Sequence, residues 1–342
     1  MMKLYKILFS STLMMGTLIA ISSYSWFGLW MGLEINLLSM IPLMSNTKNS
    51  MSSEAALKYF ITQALASTFL MFAIISMMML DNMVNNLSYN PALMMVMNSA
   101  ILTKMGAAPF HFWFPEVMEG LNWMNCLVML TWQKIAPMII LMYNIKMTYF
   151  FLSIIITSML ISGLIGMNQI SLRKIMAYSS INHIAWMISS MMFIETVWLY
   201  YFIVYTIISL NMIFIFMITS SFYLKQLFST MNNNMPLKLF FIMNFLSLGG
   251  LPPFLGFMPK WLTIQTMVEN KFTMLAFIMV ILTLITLYFY TRITFSTILL
   301  SMNEPQWNKI MTLKKWNTPN LFLLVFLSIS SLVICTMLFN WL

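Results

Sequence analysis

Charge is what this chain has least of. Only 7% of its 342 residues are Asp, Glu, Lys or Arg, against 61% that are apolar. A soluble chain carries about 25% charged residues because its exterior must face water. With a mean hydropathy of +0.87 there is too little polar surface to clothe a soluble core, so the bilayer must be the solvent. The length alone would allow two soluble domains; the composition excludes them. Cysteine is almost missing too. Cys126 and Cys335 stand far apart in apolar runs, with no CxxC and no metal spacing, and read as small buried hydrophobes. No GxGxxG, P-loop, HExxH or GxSxG pattern is present, so nothing points to a nucleotide, flavin, iron–sulfur cluster or metal bound by this chain. Glycine is scarce, 10 against 41 methionines; methionine is a flexible apolar filler that can face lipid. The net charge of +9 does not signal nucleic acid, because the cations are spread thinly and must be read against membrane topology.

What is there is a succession of apolar runs with short polar connections. The spans read as 7–23, 27–44, 59–80, 91–118, 122–143, 148–167, 175–193, 197–222, 239–268, 272–290 and 320–341. That predicts an all-α polytopic membrane protein of about eleven transmembrane helices, each near the ~20 residues that cross the hydrocarbon core. The N-terminal run, preceded by Lys3 and Lys6, is read as a retained first span because more spans follow it. Residues 1–342 then form a single transmembrane domain: half-repeats at roughly 7–143 and 148–290, an interfacial loop at 291–319, and a last helix at 320–342. Basic residues support the count. Loops on the N-terminal side carry Lys3, Lys6, Lys48, Lys58, Arg173, Lys174, Lys225, Lys238, Arg292, Lys309, Lys314 and Lys315; the other side receives Lys146 and Lys271. The positive-inside rule puts the N-terminus on the cytoplasmic or matrix side.

Two spans are too long and internally broken, at Lys104-Met105-Gly106-Ala107-Ala108-Pro109-Phe110-His111 and at Gly249-Gly250-Leu251-Pro252-Pro253-Phe254. Proline removes a backbone donor and crowds the preceding turn, so both helices should unwind there. An ordinary kink is one reading. The other is an inverted repeat, because the broken spans are an odd number of crossings apart and so run in opposite directions.

Three lysines belong to no loop. Lys104 lies roughly 20 Å into its span, Lys134 precedes Pro137 by almost one turn, and Lys260 follows the second break. Glu34 is in the second span, on a helix that also carries Asn36 and the close-packing pair Gly28 and Gly32. A charge near the bilayer centre costs about 2.5–3.5 kcal/mol on insertion scales. Lys58 and Lys146, near span ends, can snorkel; the central three cannot. Glu34 could neutralise one lysine as a structural pair but leaves two unmatched. Burial penalises the charged form of an amine, and a carboxylate that approaches or retreats would switch its proton load. His183, mid-span, and His111, beside the first break, can also shuttle protons; the plain alternative for each is a histidine hydrogen-bonded to its neighbours. Glu116 and Glu119 read as solvated or as contacts with a neighbouring chain.

The stretches Lys104 to Trp113 (KMGAAPFHFW), Ser171 to Ile181 (SLRKIMAYSSI) and Gly249 to Phe257 (GGLPPFLGF) closely resemble the antiporter-like subunits of respiratory complex I, in the animal mitochondrial style. The likeness covers essentially the whole chain, with three N-terminal helices of the bacterial forms absent. It implies a proton-translocating subunit of the membrane arm, driven by electron transfer from NADH to ubiquinone elsewhere in the complex. By motif position it implies a relay of Glu34, Lys104, Lys134 and Lys260, and the motif containing His183 matches as well; His111 stays a candidate from its place beside the first break. It implies no cofactor on this chain, the NADH, FMN, iron–sulfur and ubiquinone sites belonging to other subunits. It also implies neighbouring chains 4L and 4, and a multi-pass place in the mitochondrial inner membrane with the N-terminus in the matrix. A free-standing cation/proton antiporter and an inert membrane scaffold are the alternatives; the central charges argue against the scaffold.

Overall fold

A computed structural model describes residues 4–46, 49–83, 91–145, 147–231, 235–252 and 254–299. The chain divides into two units, one up to Ser158 and one from Met159 on. The first unit holds α1 (Leu4–Ser22), α2 (Trp26–Met44), α3 (Ser50–Met83), α4 (Pro91–Met105), α5 (Trp113–Gly120), α6 (Trp123–Leu130) and α7 (Trp132–Met142). α8 (Thr148–Gly166) carries the division. The second unit holds α9 (Leu172–Met191), α10 (Glu195–Thr219), α11 (Leu224–Met231), α12 (Met235–Gly249), α13 (Phe257–Glu269) and α14 (Thr273–Leu299). Helix is what a bilayer demands, because each backbone polar group must find its partner within the segment. Seven of the described helical stretches, one of them the α6–α7 pair, are long and apolar enough to cross a membrane. The interrupted fourth and ninth spans are not among those seven.

Ten of the eleven expected spans correspond to described helices. The eleventh, 320–341, lies outside the described residues, as does 300–319. The differences elsewhere are local. α3 starts at Ser50 rather than 59, with Lys58 on its exposed flank. α14 runs past 290 to Leu299, so the first part of the expected loop 291–319 is helical. α11 has no counterpart among the expected elements. It is short and two-faced, burying Leu227 and Met231 while Lys225 and Gln226 stay exposed. The Gln226 side-chain oxygen accepts from the backbone N–H of Phe222 and Tyr223 (2.9 and 3.3 Å), satisfying donors that a helix start leaves orphaned.

Close packing follows from small residues. A Cβ on Gly32 would meet the backbone N of Ala20 at 2.5 Å, so only glycine lets α2 lie this near α1. Gly28, its expected companion, faces Ser23 and Ser25 in the preceding turn instead.

Both breaks form where glycine and proline require them. α4 ends at Met105 and α12 at Gly249. The next residues, Gly106 (φ +75) and Gly250 (φ +78), turn left-handed, a conformation that costs other residues roughly 1–2 kcal/mol. A shared register runs deeper than the breaks. An offset of 144 residues carries Leu4–Ser22 onto Thr148–Gly166 and Pro91–Met105 onto Met235–Gly249. The same 144 carries the first residue of α5, Trp113, onto the first residue of α13, Phe257. In sequence it also aligns Gly106, Pro109, Phe110 and Pro115 with Gly250, Pro253, Phe254 and Pro259.

Candidate functional site

In the first unit, α3 packs against α2, α4 and α5, and α4 packs against α7. This brings Glu34, Lys104 and Lys134 into one unit. Lys104, the penultimate residue of α4, is 8% exposed and Lys134, in the first turn of α7, 1%. Both ammonium-bearing side chains are enclosed by protein. Glu34, at the middle of α2, is half-buried, and its Oε1 has no hydrogen-bond partner among the described residues. α2 packs on α3, and α3 on α4, so Glu34 and Lys104 belong to one packed group of helices. The Lys134 ammonium lies 5.7 Å from the centre of the Phe114 ring, within reach of a cation–π attraction.

Uncharged polar groups join these ions, and most of them escape a reading of the sequence alone. Gln133 donates to the Asn36 side-chain oxygen at 3.0 Å. Tyr59 donates to Gln133 in a long 3.5 Å contact, and Gln63 reaches the Lys104 carbonyl, also at 3.5 Å. Gln63 and Gln133 interrupt apolar runs that otherwise face lipid or core, a signal readable only once their helices are known to converge. α7 is separated from α6 by a kink at Thr131 (φ −112, ψ −71). Pro137 then has no N–H to offer the carbonyl of Gln133, so backbone polarity opens beside Lys134. At the first break, the Trp113 indole donates to the Thr103 carbonyl (3.0 Å), satisfying one of the acceptors α4 leaves at its end. His111 is 1% exposed, hydrogen-bonded to the Pro109 backbone and packed on Phe112 at 4.5 Å between ring centres.

Lys58 differs from the central lysines. Its side chain is 43% exposed and pairs with Glu54 and Glu116, each at 2.9 Å. Glu116 is thus one arm of a surface clamp between α3 and α5. Lys146, the other lysine read as snorkelling, lies outside the described residues.

The second unit holds Lys260 and His183. Lys260, in the first turn of α13, is 7% exposed and donates to the carbonyls of Gly249 (2.8 Å) and Leu248 (3.2 Å). These are terminal acceptors of α12, and the negative end of the α12 dipole faces the ammonium. The Nδ1 of His183 is 2.9 Å from the Tyr201 hydroxyl, and its ring packs near Tyr205 at 5.1 Å. Asn182 donates to Thr286 at 3.1 Å, tying α9 to α14. Lys238 corrects the loop assignment: it lies in the first turn of α12 and is only 9% exposed.

The family model for the NADH:quinone oxidoreductase/Mrp antiporter transmembrane region matches residues 23–286. NADH-ubiquinone oxidoreductase chain 2 of Anopheles gambiae is 49% identical over 341 residues, 99% of each chain. The chain belongs to that family. Similarity extends to vertebrates: chain 2 of Ovis aries is 41% identical across 90% of this chain and 88% of its own. A chain in the structure of respiratory complex I from Thermus thermophilus superposes with a TM-score of 0.79. It covers 97% of this chain and 77% of that one at 21% identity, so the fold is shared where most side chains are not. The family anticipated from the three motifs is thus the one the chain belongs to.

Proposed function

We propose that this chain is a proton-translocating membrane-arm subunit of NADH:ubiquinone oxidoreductase. It carries no redox chemistry itself and couples proton movement to electron transfer from NADH to ubiquinone elsewhere in the complex. The observation that carries this reading is the half-buried Glu34 with the buried Lys104 and Lys134 in one unit, inside a family of oxidoreductase subunits. Approach of a carboxylate favours a charged lysine and its retreat favours a neutral one. Small movements of α2 against α4 would therefore load and discharge Lys104. Lys134 stands next in the same unit, one residue after Gln133, which is hydrogen-bonded to Asn36 and Tyr59. Lys260 continues the relay in the second unit, with His183 as a further proton-carrying group and His111 a secondary member at the first break. The redox cofactors belong to other subunits. The setting is the mitochondrial inner membrane, with a multi-pass chain, the N-terminus on the matrix side, and chains 4L and 4 among its neighbours. The distribution of basic residues supports that orientation.

The test is proton stoichiometry in the assembled complex. Lys104→Ala and Lys104→Arg should both lower protons translocated per electron pair and slow quinone reduction, since arginine keeps the charge but does not release its proton. An unchanged stoichiometry in either variant removes Lys104 from the relay. The competing reading, a free-standing cation/proton antiporter, predicts migration on native gels apart from NADH dehydrogenase activity; co-migration excludes it.

A further inference from the structure

The second unit contains a cleft that the relay does not use. Its volume is about 370 Å³ and its lining includes Asn168, Gln169, Phe228, Phe289, Arg292 and Ile293. It opens where α8 ends, α9 and α11 begin, and α14 passes. Two backbone bonds fix its rim: Leu172 N–H to the Phe222 carbonyl (2.9 Å) and Leu224 N–H to the Ile170 carbonyl (3.2 Å). α14 has 27 residues, about 40 Å of helix against a hydrocarbon core of about 30 Å. Arg292 lies about 29 Å along it, close to the full thickness of that core.

The lining combines two chemistries. Phe289 and Ile293 form an apolar floor, both buried. Arg292 and Asn168, both exposed, supply donors at the mouth, and none of the twelve lining residues is acidic. Lys174 and Lys225 adjoin the lining residues Ile175 and Leu224, and Arg173 is held against the Phe222 ring at 4.8 Å. The unit's described carboxylates, Glu195 and Glu269, stand at the start of α10 and the end of α13. A planar guanidinium beside amide donors suits a phosphodiester, and an apolar floor directly beneath suits the first segment of an acyl chain. Basic groups at the bilayer surface also attract anionic lipid.

We infer that this cleft binds an anionic phospholipid, its phosphodiester on Arg292 and Asn168 and its acyl chain over Phe289 and Ile293. The inference requires only that the chain lie in a bilayer, so its failure leaves the proton-relay reading untouched, and the reverse.

Photo-crosslinking of the assembled complex tests it. A phosphatidylglycerol with a diazirine in its acyl chain should label peptides covering 166–175 and 289–299, and millimolar inorganic phosphate should not displace it. Loss of one charged hydrogen-bond donor in Arg292→Gln should cut that labelling roughly tenfold. Should that variant fail to assemble, Ser296→Trp fills the cleft with the cation retained and should give the same loss. Equal labelling by a phosphatidylcholine probe, labelling unchanged in the variant that assembles, displacement by phosphate, or an unlabelled wild type would each overturn the assignment.

Discussion

The ammonium of Lys260 lies 2.8 Å from the carbonyl of Gly249, the last residue of the helix that precedes it across the break. A charged side chain therefore completes the end of a broken helix. A Cβ on Gly250 would approach Lys260 Nζ and Cδ at 2.8 Å each, so glycine there serves both the left-handed turn and the lysine's access. The first break shows a different solution, in which the neutral indole of Trp113 donates to the Thr103 carbonyl in the last turn of α4.

Gly250→Ala should accordingly disturb Lys260 more than the fold. The left-handed φ costs roughly 1–2 kcal/mol, too little to unfold a bundle of this size, while the lysine must leave its carbonyls. We expect assembly to persist on native gels and protons per electron pair to fall. Gly249→Ala, whose Cβ would meet only ordinary contacts near 3.7 Å, should have a much smaller effect.

Gln133→Leu removes the donor that holds the Asn36 oxygen and the acceptor of Tyr59. Leaving a buried polar atom unpaired costs about 1–3 kcal/mol. Thermal inactivation of the assembled complex should occur at lower temperature, and proton pumping should drop relative to quinone reduction. Gln133→Glu, which keeps an acceptor but loses the donor, should not restore the bond to Asn36.

Lys58→Ala breaks two pairs, to Glu54 and Glu116. Exposed ion pairs are worth about 0–1 kcal/mol each, so the melting of the complex should move little and stoichiometry should match the wild type. A pumping loss comparable to that of Lys104→Ala would erase the distinction between exposed and buried lysines.

Much of this architecture is legible in the residues. Gly106 with Pro109, and Gly250 with the Pro252-Pro253 pair, announce the breaks because few other residues tolerate those backbone geometries. Lys104, Lys134 and Lys260 stand out because an ammonium in a long apolar run is costly, and all three are buried as that cost argument requires. The convergence of Gln63, Gln133 and Tyr59 is not legible, since single amides and phenols in apolar helices reveal partners only after packing. α11 is hidden because eight residues with two buried side chains make too short a pattern to separate from a polar connection. Lys238 misleads for the opposite reason: it stands at the edge of an apolar run, where a cation normally escapes to water, yet α12 begins early enough to bury it.

The common 144-residue register has a consequence for how such a chain changes over time. The positions that coincide in the two breaks are glycines, prolines and one phenylalanine, while Glu34, Lys104 and Lys134 correspond to Tyr178, Leu248 and Ile278. A scaffold set by turn-forming residues can be copied whole and then refitted with different ionisable groups in each copy, because backbone geometry admits few substitutes and side-chain chemistry admits many. In this chain the turn-forming positions recur at that spacing and the ionisable ones do not.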